Sequence, residues 1–239
     1  MQQAVTVPEL GTILGVWAHP DDEAYLSAAL MAKARDAGQP VVVATATDGE
    51  LGGDSPVADQ RRLEVMESLA AVGVTDHRWL GFRDGQCAGV SPEVGDHVVR
   101  ALIEQVRPDT VVTFGRDGVT GHPDHVAVSG WVERAWLADG CRALLLQATL
   151  TESFHHRWGS LCKRTGVWMP GARPPSVPDA AVTLRVRAHG RTARRKLAAL
   201  RAHASQTTGL REAVGEDTYL RWWSEESFVR VPTPLERAA

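Results

Sequence analysis

Three things are scarce in this 239-residue chain: paired cysteines, long apolar runs and an excess of one charge. The three cysteines, Cys87, Cys141 and Cys162, are odd in number and widely spaced. They form no CxxC pair and no disulfide framework, so each is read as a small buried hydrophobe and the expected setting is a reducing cytoplasm. No window approaches the ~20 apolar residues that span a bilayer. The opening residues, Met1-Gln2-Gln3-Ala4, lack the basic region and apolar stretch of a secretory leader. A net charge of −3 gives no reason to expect nucleic acid or an anionic membrane as partner. At 44% hydrophobic and 23% charged, the composition is that of a soluble globular protein with a full core. Low-complexity segments are missing too, and the only repeat is a paired tripeptide.

That tripeptide is the most informative feature present. An apolar run, Thr12-Ile13-Leu14-Gly15-Val16-Trp17-Ala18, stops at His19-Pro20-Asp21-Asp22-Glu23 and gives way to a helical pattern. About a hundred residues on, Val111-Val112-Thr113-Phe114 leads through a glycine-rich loop to Gly121-His122-Pro123-Asp124-His125 and a second helical pattern.

Between and beyond these motifs, short apolar strands alternate with amphipathic helices. Strands are expected at 12–18, 41–47, 77–82, 110–114 and 142–148. Helices are expected over 22–37, around Val65, Leu69 and Val72, around Val98, Leu102, Ile103 and Val106, and around Val128, Val132, Ala135 and Trp136. Residues 48–56 form a polar, glycine-rich loop. Residues 150–180 lack periodicity and are read as an excursion over the surface. A half-exposed strand at 181–187 and a basic helix follow, the helix with Ala193, Leu197 and Leu200 inward and Arg194, Arg195 and Arg201 outward. The fold class is therefore α/β: a single Rossmann-like domain over 1–239, its mostly parallel sheet flanked by helices. Residues 1–150 form the core and the remainder completes it.

Helix starts explain part of the paired motif, since proline suits the first helical position and acidic residues complement the helix dipole. They do not explain His19, His122 and His125. In a doubly wound sheet, ligands bind beyond the carboxyl ends of the strands where the winding reverses. If strands one and four meet there, both motifs share one crevice. His19 with Asp22, and His122 with His125, are each three residues apart, a spacing that puts both members on one face of a helical turn. Two histidines and a carboxylate with an open position suit catalytic Zn²⁺, and the same set suits Fe²⁺ or another divalent metal.

The motifs resemble those of the LmbE-like or PIG-L family of zinc-dependent N-deacetylases, which act on N-acetylglucosamine-containing molecules. Further matches are Thr47-Asp48-Gly49-Glu50, Arg61 with Glu64, Arg83-Asp84-Gly85, and Lys196 followed by His203-Ala204-Ser205-Gln206, so the resemblance covers roughly residues 11–206. It implies that His19, Asp22 and His125 hold the metal, that Asp21 is the general base, and that a protonated His122 assists the tetrahedral intermediate. Asp124 would orient a neighbouring histidine, and Arg61 and Asp84 would contact the substrate, a small N-acylated amino sugar. At Thr120 the chain departs from sugar-acting members that carry tyrosine there. Glu50, His203 and the other histidines are read as structural, as are Trp158, Trp168, Trp222 and Trp223. Two other readings use the same residues: hydrolysis of an ester or phosphoester, and a non-catalytic sugar-binding module.

Overall fold

The computed structural model describes residues 5–52 and 57–237; Met1–Ala4 and the Gly53–Pro56 part of the polar loop lie outside the described residues. The chain runs β1 (Ile13–Trp17), α1 (Asp22–Leu26), α2 (Ala28–Asp36), β2 (Val41–Thr47), α3 (Val57–Ala71), β3 (Asp76–Phe82), α4 (Pro92–Val106), β4 (Thr110–Phe114), α5 (Gly118–Gly121), α6 (Pro123–Ala138), β5 (Leu144–Thr149), α7 (Glu152–Thr165), β6 (Leu184–Arg187), α8 (Gly190–Ala202), α9 (Ala204–Val214), α10 (Glu216–Trp222), β7 (Glu225–Arg230) and α11 (Pro234–Arg237). Among the described residues, seven strands form one sheet in the order β3-β2-β1-β4-β5-β7-β6.

The β1–β5 part is parallel throughout, with β1 hydrogen-bonded to β2 on one side and β4 on the other. Winding reverses between β1 and β4. Both strands are buried along their whole length, as their apolar, β-branched sequences require of a sheet covered on both faces. Trp17 of β1 packs edge-on against Phe114 of β4 at 5.0 Å, fixing the two carboxyl ends side by side. At the far edge β7 runs antiparallel to both β5 and β6, so the last third of the chain completes the same sheet.

Four local expectations need correction. The helix over 22–37 is two helices, broken at Ser27, whose backbone (φ −145°, ψ 4°) leaves the helical region. Tertiary partners stabilise the break. Glu226 of β7 accepts hydrogen bonds from the free N–H groups of Ala29 (2.7 Å) and Leu30 (2.8 Å) at the start of α2. Lys196 donates to the Tyr25 carbonyl at the end of α1 (2.8 Å) and pairs with Glu226 (2.5 Å). Pro20 precedes α1, which begins at Asp22 with Asp21 as its N-cap.

The excursion at 150–180 contains the 14-residue α7. Thr151 caps it by accepting from the Phe154 N–H, Gly166 ends it at φ 67°, and Phe154, Trp158, Leu161 and Cys162 face the core at helical spacing. Its charged residues masked that face.

The basic helix is α8, but Arg195 does not face solvent. Its guanidinium donates to the carbonyls of Ala71 and Ala32 and pairs with Asp36 at 2.8 Å, tying α8 to α3 and α2. Cys141, in turn, is half-buried in a turn at φ 57°, whereas Cys87 and Cys162 are buried.

Candidate active site

Both His-Pro-Asp motifs stand at the carboxyl end of the sheet and line one cavity of about 420 Å³. Of the residues singled out in the sequence, His19, Asp21, Asp22, Arg61, Asp84, His122 and His125 line it, while Asp124 lies directly behind His19, fully buried. Their setting explains the unusual backbone of the second motif. Gly118 (φ +72°) turns its carbonyl toward His125 and accepts from Nδ1 at 3.0 Å; a Cβ on this glycine would sit 2.9 Å from the His125 Cβ. Phe114 stacks on the His125 ring at 4.1 Å. The bond at Nδ1 assigns the ring proton there and leaves the Nε2 lone pair facing the cavity.

His19 is held the opposite way round. Its Nε2 faces the carboxylates of Asp84 (3.0 Å) and Asp124 (3.3 Å), so the proton belongs on Nε2 and Nδ1 is free to donate its lone pair. Asp124 is anchored by the backbone N–H groups of Gly85 (2.7 Å) and Cys87 (3.0 Å), and Asp84 by that of Leu51 (3.0 Å).

Potential donor atoms of three residues then converge. His19 Nδ1 lies 3.1 Å from His125 Nε2, His125 Nε2 lies 3.3 Å from Asp22 Oδ1, and His19 Nδ1 lies 3.6 Å from Asp22 Oδ2. Ligands sharing one Zn²⁺ at bond lengths of about 2.0–2.2 Å in tetrahedral array stand roughly 3.3 Å apart, so the set fits such an ion. One nitrogen each from His19, His122 and His125 also falls within 4.8 Å, as do His19 with Asp84 and Asp124. The two aspartates, however, already have the His19 ring N–H and backbone N–H groups as partners.

Electrostatics point the same way. Burial opposes a charge on His19, yet the hydrogen bonds to Asp124 and Asp84 and the field of Asp22 outweigh it and push the pKa up to about 10. Burial, helped by the charge of His19, holds His125 neutral with its pKa well below the ordinary value. Asp22 is raised, chiefly by burial. A pocket that holds a proton this firmly among carboxylates is one where a divalent cation competes for the same lone pair.

His122 also has a backbone role. Its Nδ1 accepts from the Asp124 N–H at 3.1 Å and so caps α6, a role rare for histidine. The neutral tautomer then carries its proton on Nε2. Burial and the positive His19 ring lower its pKa, which favours the neutral form over the imidazolium while His19 is charged.

Asp21 has the most unusual backbone of the group, φ 130° and ψ −28°. Burial raises its carboxyl pKa to about 6, with the Arg61 guanidinium pulling it down and the Asp22 carboxylate adding to the rise. Arg61 is buried, with Nη1 donating to the Gly49 carbonyl (2.9 Å) and Nη2 to that of Pro20 (2.5 Å), and with Nη2 3.5 Å from Asp21 Oδ2. Gly49 makes room, since a Cβ there would meet Nη1 at 2.3 Å. Glu50 supports the same wall by accepting from the Asp84 N–H (3.0 Å).

Most of the remaining cavity wall comes from residues that carry no motif. Tyr25, Leu26, Val119, Val167, Leu210 and Trp223 give it an apolar side, and Gln206 joins the polar side near Arg61. Of the four tryptophans read as structural, Trp223 reaches the cavity; Trp222 is buried, and Trp158 lines a separate surface groove. Thr120 lies on the cavity wall with its hydroxyl 3.3 Å from His125 Nδ1. His203 is fully buried.

Known proteins bear on this arrangement in sequence and in structure. Residues 14–136 match the family described as PIG-L, GlcNAc-PI de-N-acetylase. A 1D-myo-inositol 2-acetamido-2-deoxy-alpha-D-glucopyranoside deacetylase of Kineococcus radiotolerans is 33% identical over 82% of this chain and 69% of its own length. One of the same description from Nocardiopsis dassonvillei is 30% identical over 93% of this chain and 94% of its own. In structure, the N,N'-diacetylchitobiose deacetylase of Pyrococcus horikoshii shares the fold with a TM-score of 0.64 at 21% identity, covering 97% of this chain and 90% of that one. With residues 14–136 matching the family and relatives 30–33% identical over more than four-fifths of it, the chain belongs to the PIG-L family.

Proposed function

We propose that this protein is a divalent-metal-dependent N-deacetylase of an N-acetylglucosamine-type conjugate, with His19, Asp22 and His125 as ligands and zinc as the metal. One observation carries the proposal: the lone pairs of His19 Nδ1 and His125 Nε2 converge with the Asp22 carboxylate at mutual distances of 3.1–3.6 Å, beside Asp21. A bound metal supplies Lewis-acid polarisation of the amide carbonyl and lowers the pKa of water.

The chain's own residues do the rest. Asp21, with a pKa of about 6, is mostly ionised at neutral pH and accepts the proton that water loses on attack. Now neutralised, it returns that proton to the amine nitrogen as the C–N bond breaks. His122 donates from Nε2 to the oxygen that gains charge. Arg61 and Asp84 hold the sugar side of the substrate, and Gln206 extends that surface. The apolar side receives the acetyl methyl and less polar parts of the conjugate. Three free thiols agree with a cytoplasmic setting; among the described residues no helix is long and apolar enough to cross a membrane.

A panel of N-acetylglucosaminides, headed by the inositol conjugate named for both relatives, tests the proposal alongside phosphoesters and simple esters. Zinc-loaded protein should release acetate and free amine in equal amounts, and chelator-stripped protein should not. Phosphate release without acetate would overturn the amide assignment. Metal analysis after anaerobic purification separates zinc from Fe²⁺.

A further inference from the structure

We propose that Glu23, Ser68 and His203 form a buried positioning relay that holds Asp21 in its strained backbone conformation and so aims its carboxylate; the proposal rests on Asp21 being the proton acceptor. At φ 130° Asp21 occupies backbone space that favours glycine. Such a conformation persists only where the surroundings over-determine it, and here every backbone group around it is engaged. The Asp21 N–H donates to Glu23 Oε2 (3.0 Å), and the Asp21 carbonyl accepts from Ala24 (2.9 Å) and Tyr25 (3.1 Å). The preceding Pro20 carbonyl is held by Arg61.

The anchor of this clamp is Glu23. Its other oxygen, Oε1, accepts from Ser68 Oγ of α3 (2.7 Å) and faces His203 Nε2, at the junction of α8 and α9, at 2.6 Å. Glu23 and His203 are 0% exposed and Ser68 is 1% exposed. The pair is 180 residues apart in sequence, so α1, a five-residue helix, is orientated by the far part of the chain. A buried ion pair is poor value as a stabiliser, because desolvation offsets much of the attraction and an apolar pair of the same shape often does as well. What the carboxylate does that no apolar side chain can is accept the Asp21 N–H while being fixed from behind. The three residues touch neither the cavity nor the metal ligands' donor atoms, which makes them positioning rather than catalytic residues.

Two measurements on zinc-loaded protein test this, with the most active N-acetylglucosaminide of the panel as substrate. Ser68→Ala and His203→Ala should lower kcat by about 10²-fold, the scale of a misplaced catalytic group, with KM and zinc stoichiometry unchanged. His203→Gln, which keeps a donor for Glu23, should recover most of that loss. In an Asp21→Asn background, His203→Ala should cost no further rate. The second measurement needs no turnover: Asp21→Gly should melt higher than Asp21→Ala in metal-free protein, the reverse of the ordinary order, because only glycine relieves φ 130°. Alanine melting higher overturns the clamp. If Asp21→Asn abolishes turnover while His203→Ala and Ser68→Ala lower only the melting temperature, the relay fails and the base assignment stands. If Asp21→Asn keeps full turnover, the base assignment fails, and the Gly–Ala order still reports on the clamp.

Discussion

The metal-free site should take up zinc in competition with a single proton, and the competition has a computable size. Asp124, Asp84 and Asp22 outweigh burial and raise the His19 pKa to about 10. With Nε2 already committed to the two aspartates, the proton that titrates is the one on Nδ1, the lone pair facing His125 and Asp22. Below pH 10 the metal must displace it, so apparent affinity should rise about tenfold per pH unit. Between pH 6.5 and 8.5 that is about 100-fold, or roughly 2.7 kcal/mol at 1.36 kcal/mol per unit. Competition with a chromophoric chelator across this range gives the slope. Calorimetry in buffers of differing ionisation enthalpy gives the released proton directly, expected near one per metal at pH 7.5. A flat pH dependence with no proton release would refute the reasoning, because it would mean that His19 Nδ1 either does not hold the proton or does not bind the ion.

Asp124→Asn should weaken zinc binding by about 10–100-fold without touching a ligand, since an amide cannot accept from Gly85, Cys87 and His19 together; chelator competition measures it, and unchanged affinity would discard the supporting role. His122→Phe should cut kcat by about 10²–10³-fold and also cost about 0.5–2 kcal/mol of stability through the lost cap on α6, read by urea titration. His203→Ala should destabilise by about 3–5 kcal/mol, with a pH signature. Glu23 is shifted down against the cost of burial by His203 and Ser68, so its contribution is present above 4.5 and is lost as pH falls through its lowered pKa. His203 is raised against burial by Glu23, so its contribution is present below 6.5 and is lost as pH rises through its raised pKa. The melting difference between wild type and His203→Ala should therefore be greatest between pH 4.5 and 6.5.

The paired motif and the strands beneath it are legible because the signals are local: apolar runs, a glycine-rich loop, a proline at the first position of α6. The break at Ser27 is not, because it is maintained by Lys196 and Glu226, both distant in sequence. The Glu23–His203 pairing has no local signal either: in sequence Glu23 reads as a helix-start acid and His203 as part of a distant match with a structural role. His122 as a cap could have been suspected, since it stands immediately before Pro123 and two residues before Asp124, but histidine is a poor prior for that role. The apolar side of the cavity gathers from α1, α9, the end of α7 and the turn after α10, and no periodicity marks residues that meet only through the fold. In α7 the apolar spacing was present; the arginines and histidines interleaved with it hid it.

The reversed strand β7 sets the order in which the molecule can be completed. Because it lies between β5 and β6, the outer edge of β5 stays open until residues 225–230 have been made, and β6 has no partner before then. From Thr149 to Glu225, at about 5–20 residues per second of synthesis, that wait is roughly 4–15 s. Throughout it the chain presents Leu144-Leu145-Leu146-Gln147-Ala148-Thr149 as an unpaired edge, the kind of surface on which nascent chains pair with one another. Yield of soluble protein should therefore respond to translation speed and holding chaperones more than to the stability of the finished sheet.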